Sequence, residues 1–60
     1  MASPSLSLTT LATARTNASN TADDVTLKHD GTCEVLDSSG NAIFHGTMYQ
    51  TYKWLLKNAN

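Results

Sequence analysis

Residues 36–56, LDSSGNAIFHGTMYQTYKWLL, decide the fold of this chain. They read as a strand end, a tight turn, a second strand and a helix. In Asp37-Ser38-Ser39-Gly40-Asn41 the Asp side chain can accept from the backbone of a type I turn, and Gly40 can take the positive φ that closes it. Counting outward from that turn pairs Val35 with Ile43 and Cys33 with His45, and puts Leu36, Ala42 and Phe44 on the opposite face. Thr47 and Gln50 have the Thr-x-x-Gln spacing of a capping box, so the helix is expected to start at Met48 and run to about Asn58. At 100° per residue Met48, Tyr52, Leu55 and Ala59 share a stripe, flanked by Tyr49 and Leu56. Trp54 then projects away from the stripe, among Gln50, Lys53 and Lys57.

Working backward, VTLKHDGTCEVL (25–36) alternates and is broken at Asp30-Gly31. A two-residue Asp-Gly turn would place Leu27 opposite Glu34. A three-residue loop, His29-Asp30-Gly31 with Gly31 left-handed, pairs Lys28 with Thr32, Leu27 with Cys33 and Val25 with Val35. The second register gathers Val25, Leu27, Cys33 and Val35 on one face and leaves Thr26, Lys28, Thr32 and Glu34 on the other, so it is preferred. The expectation for residues 23–60 is an α+β domain: a three-stranded antiparallel meander with one C-terminal helix packed on one face.

Residues 1–22 follow other rules. Ser, Thr, Ala and Asn dominate, large apolar residues are few, and acids are absent. Such a segment buries too little surface to offset its ordering entropy, which predicts a disordered tail. Ser3-Pro4 could open a helix with Leu8, Leu11 and Ala12 at helical spacing, and Leu6 to Leu11 could dock. The composition also suits an organellar transit peptide, although what remains would be very short for an imported protein.

Length and composition bound the function. Sixty residues allow one domain. A net charge of -1 gives no electrostatic footprint for nucleic acid. Cys33 is the one cysteine, so no intramolecular disulfide forms, and a reducing cytoplasm is the expected setting. No apolar run reaches the roughly 18 residues of a membrane span.

The chemistry-bearing residues do not assemble into a reaction centre. Cys33 and His45, as cross-strand neighbours, could bind a metal or form a thiolate–imidazolium couple, but two ligands do not close a zinc site. A lone buried Cys more commonly acts as a small hydrophobe. Asp30 and Asp37 are turn residues. There is no phosphate loop and no nucleophile with base and orienter, so no enzyme activity and no cofactor are expected. Lys28, Lys53 and Lys57 with Trp54, Tyr49 or Phe44 could stack and neutralise a nucleic acid, but the chain has four basic residues in all.

What is left over is apolar surface. Trp54 with Tyr49, Gln50, Lys53 and Lys57 forms one candidate partner-binding surface, and Leu36 with Phe44 forms another. Strand edges offer a third route, by β-addition. A non-enzymatic protein-binding module is the first expectation. A structural homo-oligomer or small virion component is the second, and a weak nucleic-acid binder the third.

Residues 33–58 resemble a strand–turn–strand–helix pattern common among small accessory proteins of tailed bacteriophages. The matching positions are Asp37, Gly40, Asn41, Ile43, Phe44, Gly46, Thr47, Tyr52 and Leu55. The resemblance covers the C-terminal half and rests on turn and cap chemistry. It implies a protein that binds and redirects a host protein, as a modulator or inhibitor acting by steric occlusion in the host cytoplasm.

Overall fold

Both turns fold as their glycines demand, and they place three strands side by side. In this computed structural model, which describes residues 6–60, β1 (Asp24–Leu27), β2 (Thr32–Leu36) and β3 (Ala42–Thr47) form an antiparallel sheet in the order β1-β2-β3. Two helices complete it, α1 (Leu8–Asn17) and α2 (Met48–Lys57). The fold is a small α+β domain.

The first hairpin has the expected register: Val25 faces Val35 and Leu27 faces Cys33. Gly31 sits at φ 85°, and the Lys28 N–H donates to the Thr32 carbonyl at 2.8 Å. Asp30 Oδ1 accepts from both the backbone N–H and the hydroxyl of Thr32. Those two bonds, the hydroxyl foremost, hold the Asp30 carboxyl below its usual range. In the second turn Asp37 Oδ1 accepts from the N–H groups of Ser39 and Asn41, and Gly40 takes φ 84°. The Asn41 N–H is the main cause of the lowered Asp37 pKa.

Beyond that turn the register departs from expectation by one residue. Leu36 pairs with Ala42, but Val35 pairs with Phe44, Glu34 with His45 and Cys33 with Gly46. Ile43 is the extra residue of a β-bulge. The bulge turns Phe44 onto the helix-covered face beside Val35, and His45 onto the open face. An unbulged strand would have done the reverse, exposing a phenyl ring and burying an imidazole. Phe44 is half-buried there, and Ile43, which the expected register sets beside Val35, is 37% exposed, so the bulge exchanges one apolar side chain for another and keeps the imidazole out of the core. Gly46 falls beneath the helix start, where a Cβ would meet Gln50 Oε1 at 2.7 Å and Phe44 Cε2 at 3.1 Å.

The capping box of α2 forms as the sequence predicts. Thr47 Oγ1 accepts from the Gln50 N–H, and Gln50 Oε1 accepts from the Thr47 N–H. The helix is rotated relative to its apolar stripe, however. Thr51 and Leu55 are the residues at 0% exposure, whereas Tyr49 and Leu56 stay exposed. Thr51 is tolerated there because its hydroxyl donates to the Thr47 carbonyl at 2.8 Å. This rotation brings Trp54 inward.

The expectation of a disordered segment over residues 1–22 fails from Leu8 onward; residues 1–5 lie outside the described residues. Ser7 caps α1, its hydroxyl accepting from the Thr10 N–H. Leu11, Ala14, Ala18 and Ala22 are all buried, and they join Cys33, Val35 and Leu55 in one core. Both helices therefore cover the Cys33–Val35 face of the sheet. The segment succeeds with little apolar bulk because alanines let it lie close to its neighbours. Polar ties complete the docking. Arg15 donates to the Asp23 carbonyl at 3.1 Å, and Asn60 bonds Asn17, Ser19 and Asn20.

Candidate functional site

The residues expected to meet a partner divide once the faces are known. Trp54 and Phe44 do not point outward on separate surfaces. Their rings stack on each other, with centroids 5.2 Å apart and planes at 24°, and both pack against the core. The Leu36–Phe44 patch is therefore not formed: Leu36 is half-buried on the open face and Phe44 lies on the other. The Gln50 side chain is committed to the cap of α2. Tyr49 and Lys53 do remain exposed, with Lys53 Nζ 5.4 Å from the centre of the Tyr49 ring, and Lys57 is exposed beside them. Trp54 and Phe44 are thus occupied by each other and unavailable as platforms for bases.

Cys33 and His45 are not cross-strand neighbours, as the one-residue shift separates them to opposite faces. Among the described residues no three His, Cys, Asp or Glu side chains converge as metal ligands. Burial raises the Cys33 pKa, with the Thr51 hydroxyl opposing the shift, so the thiol is protonated at neutral pH. Its reaction with a thiol reagent such as dithionitrobenzoate is expected only when the domain opens. The labelling rate should therefore rise in step with the unfolded fraction across a urea titration; rapid labelling in native buffer would contradict the burial.

The open face carries a hydrogen-bonded chain that sequence reading missed. Thr32 Oγ1 lies 2.6 Å from Asp30 Oδ1 and 3.0 Å from His45 Nε2. The hydroxyl has one proton, and the short carboxylate bond takes it, so His45 donates through Nε2. In that polarity the Asp30 carboxylate is the acceptor of the hydroxyl proton and the imidazole is a donor to the hydroxyl oxygen. The chain is a tie across the sheet, joined by the Lys28–Glu34 contact at 3.9 Å.

The feature best suited to contact is the outer edge of β1. Among the described residues β1 pairs only with β2. In an antiparallel ladder alternate residues direct their N–H and C=O away from the partner. Because Lys28 bonds Thr32, the outward residues are Leu27 and Val25. Beside this edge, between α1 and β1, runs a cleft of about 300 Å³ lined by Leu8, Leu11, Ala12, Val25, Leu27 and Cys33, with Arg15 and Asp24. Leu8 is 60% and Leu27 47% exposed at its rim. Leu27 was expected inside a covered face; α1 stops short of covering it. The cleft was not legible in the sequence because one of its walls is the helix assigned to a tail.

Among the described residues no helix is long and apolar enough to cross a membrane. No protein-family model matches the chain, and neither a curated protein nor a solved structure is significantly similar to it.

Proposed function

We propose that the protein is a non-enzymatic protein-binding module that takes an extended segment of its partner along the β1 edge. The observation that supports this reading is the combination at one place of outward backbone groups, at Val25 and Leu27, with an apolar cleft rimmed by exposed Leu8 and Leu27. Main-chain bonds along an edge give affinity, and pockets beside it give specificity. Binding there would occlude whatever surface the partner's strand belongs to. A phage-encoded modulator of a host protein, the setting that the C-terminal resemblance implies, would work in this way, and the lone reduced thiol suits a cytoplasmic site of action. The Tyr49–Lys53–Lys57 surface of α2 is the lesser candidate, since it offers no unpaired backbone.

Titration of isotope-labelled protein with a short peptide of alternating valine and threonine tests the reading. The expected result is a set of amide shifts centred on Val25 and Leu27, with methyl shifts at Leu8 and Leu27. Shifts confined to β3 or to α2, or none at millimolar peptide, would remove the β1 edge from consideration.

A further inference from the structure

The β1 edge is self-complementary, and we propose that its occupant is a second copy of this chain, joined strand to strand about a two-fold axis at Thr26. The proposal rests on the edge reading above and names its partner. The sequence of the edge is Asp24-Val25-Thr26-Leu27-Lys28. A new antiparallel strand must form its bonded pairs with the outward residues, Val25 and Leu27. Three two-fold registers satisfy this. With the axis at Thr26, Val25 meets Leu27 of the second copy, Thr26 meets its own image, and Asp24 meets Lys28 at both ends. With the axis at Leu27, Asp24 meets Asp30 of the second copy and the charges repel. With the axis at Val25, Lys28 is driven against Ala22, where the Arg15 guanidinium already holds the Ala22 and Asp23 carbonyls. Only the Thr26 axis pairs opposite charges, a threonine with a threonine, and apolar with apolar, all of which favour a cross-strand contact.

The same register answers two features of the isolated chain. The Asp24 carboxylate bonds the Val25 N–H at 2.9 Å, blocking an outward donor. In the pair that N–H passes to the Leu27 carbonyl of the second copy, and the carboxylate turns to Lys28. On the helix-covered side, Leu27 and Leu8 lose their exposure as the two clefts adjoin across the axis. The product is one continuous sheet with all the helices on one face and the free β1 edges gone.

Sedimentation equilibrium over a wide concentration range tests the proposal on the full chain. Wild type is expected to dimerise. Asp24→Lys alone and Lys28→Asp alone place like charges together, and each should raise the dimer dissociation constant by about fivefold or more. The double variant Asp24→Lys/Lys28→Asp should restore it. Thermal melts of each variant verify folding, since both positions are exposed. Wild type that stays monomeric to millimolar concentration would overturn the self-pairing. A dimer whose double variant is no tighter than the singles would overturn the Thr26 register. The peptide titration separates the two readings: peptide bound by a monomeric protein would leave the edge a binding site and dismiss only the second copy.

Discussion

Leu11→Ala is expected to lower the free energy of unfolding by about 2–5 kcal/mol, the range for removing a fully buried leucine. Leu11 is 2% exposed and links α1 to Cys33, Val35 and Leu55 in a single core. In a domain of this size each kcal/mol moves the midpoint by roughly 4–8 °C, so the melt should fall by about 10 °C or more. With total stability of small domains near the low end of about 5–15 kcal/mol, partial unfolding at room temperature is within reach. Leu8→Ala is the control, because Leu8 is 60% exposed and three residues away on the same helix. It should stay within about 0.5 kcal/mol of wild type. Circular dichroism melts of the two variants decide the matter. Equal, negligible effects would mean that α1 contributes nothing to the fold and that residues 8–17 behave as the tail their composition suggested.

The contrast between the two halves of the chain shows what a single sequence discloses. Both turns were legible, because Asp30-Gly31 and Asp37-Ser38-Ser39-Gly40 carry their conformations in the chemistry of single residues: a carboxylate that accepts backbone bonds and a glycine free to take positive φ. The Thr47–Gln50 cap was legible for the same reason. The bulge at Ile43 was not. Nothing local marks it, and its benefit appears only when Phe44 and His45 are compared across the whole sheet. Helix α1 was hidden because its buried side chains, Leu11 and Ala14, and those of the segment that follows it, Ala18 and Ala22, are mostly alanine, which gives almost no apolar periodicity. Its stabilisation is tertiary, through close approach to α2 and β1, and the ties from Arg15 and Asn60 connect residues 8 to 43 positions apart. The candidate site inherits both blind spots. Its strand, β1, was read correctly, while the cleft beside it depended on the unforeseen helix.

Trp54→Ala carries the second large effect, and it reverses the expectation drawn from helix periodicity. With Trp54 outward, truncation would leave folding intact and abolish a contact. With Trp54 stacked on Phe44 at 5.2 Å and packed against the core, truncation removes a large buried surface and leaves the phenyl ring without its neighbour. Replacing a buried Trp by Ala costs about 3–5 kcal/mol, and because Trp54 keeps some exposure the loss should lie near 3 kcal/mol. Phe44→Ala should cost a similar amount. The double variant should cost less than the sum, since an aromatic pair contributes about 0.5–1.5 kcal/mol beyond the area it buries. Urea titrations of the four proteins close that cycle, with Tyr49→Ala, at a 60% exposed position, as the neutral reference. The outcome reaches beyond stability. If Trp54→Ala melts as wild type does and the cycle shows no coupling, the rotation of α2 is wrong, Trp54 returns to the surface, and the helix face displaces the β1 edge as the first place to look for a partner. If the coupling is present, lost binding in a Trp54 variant reports unfolding, and only substitutions at the edge, such as those at Asp24 and Lys28, can report contact.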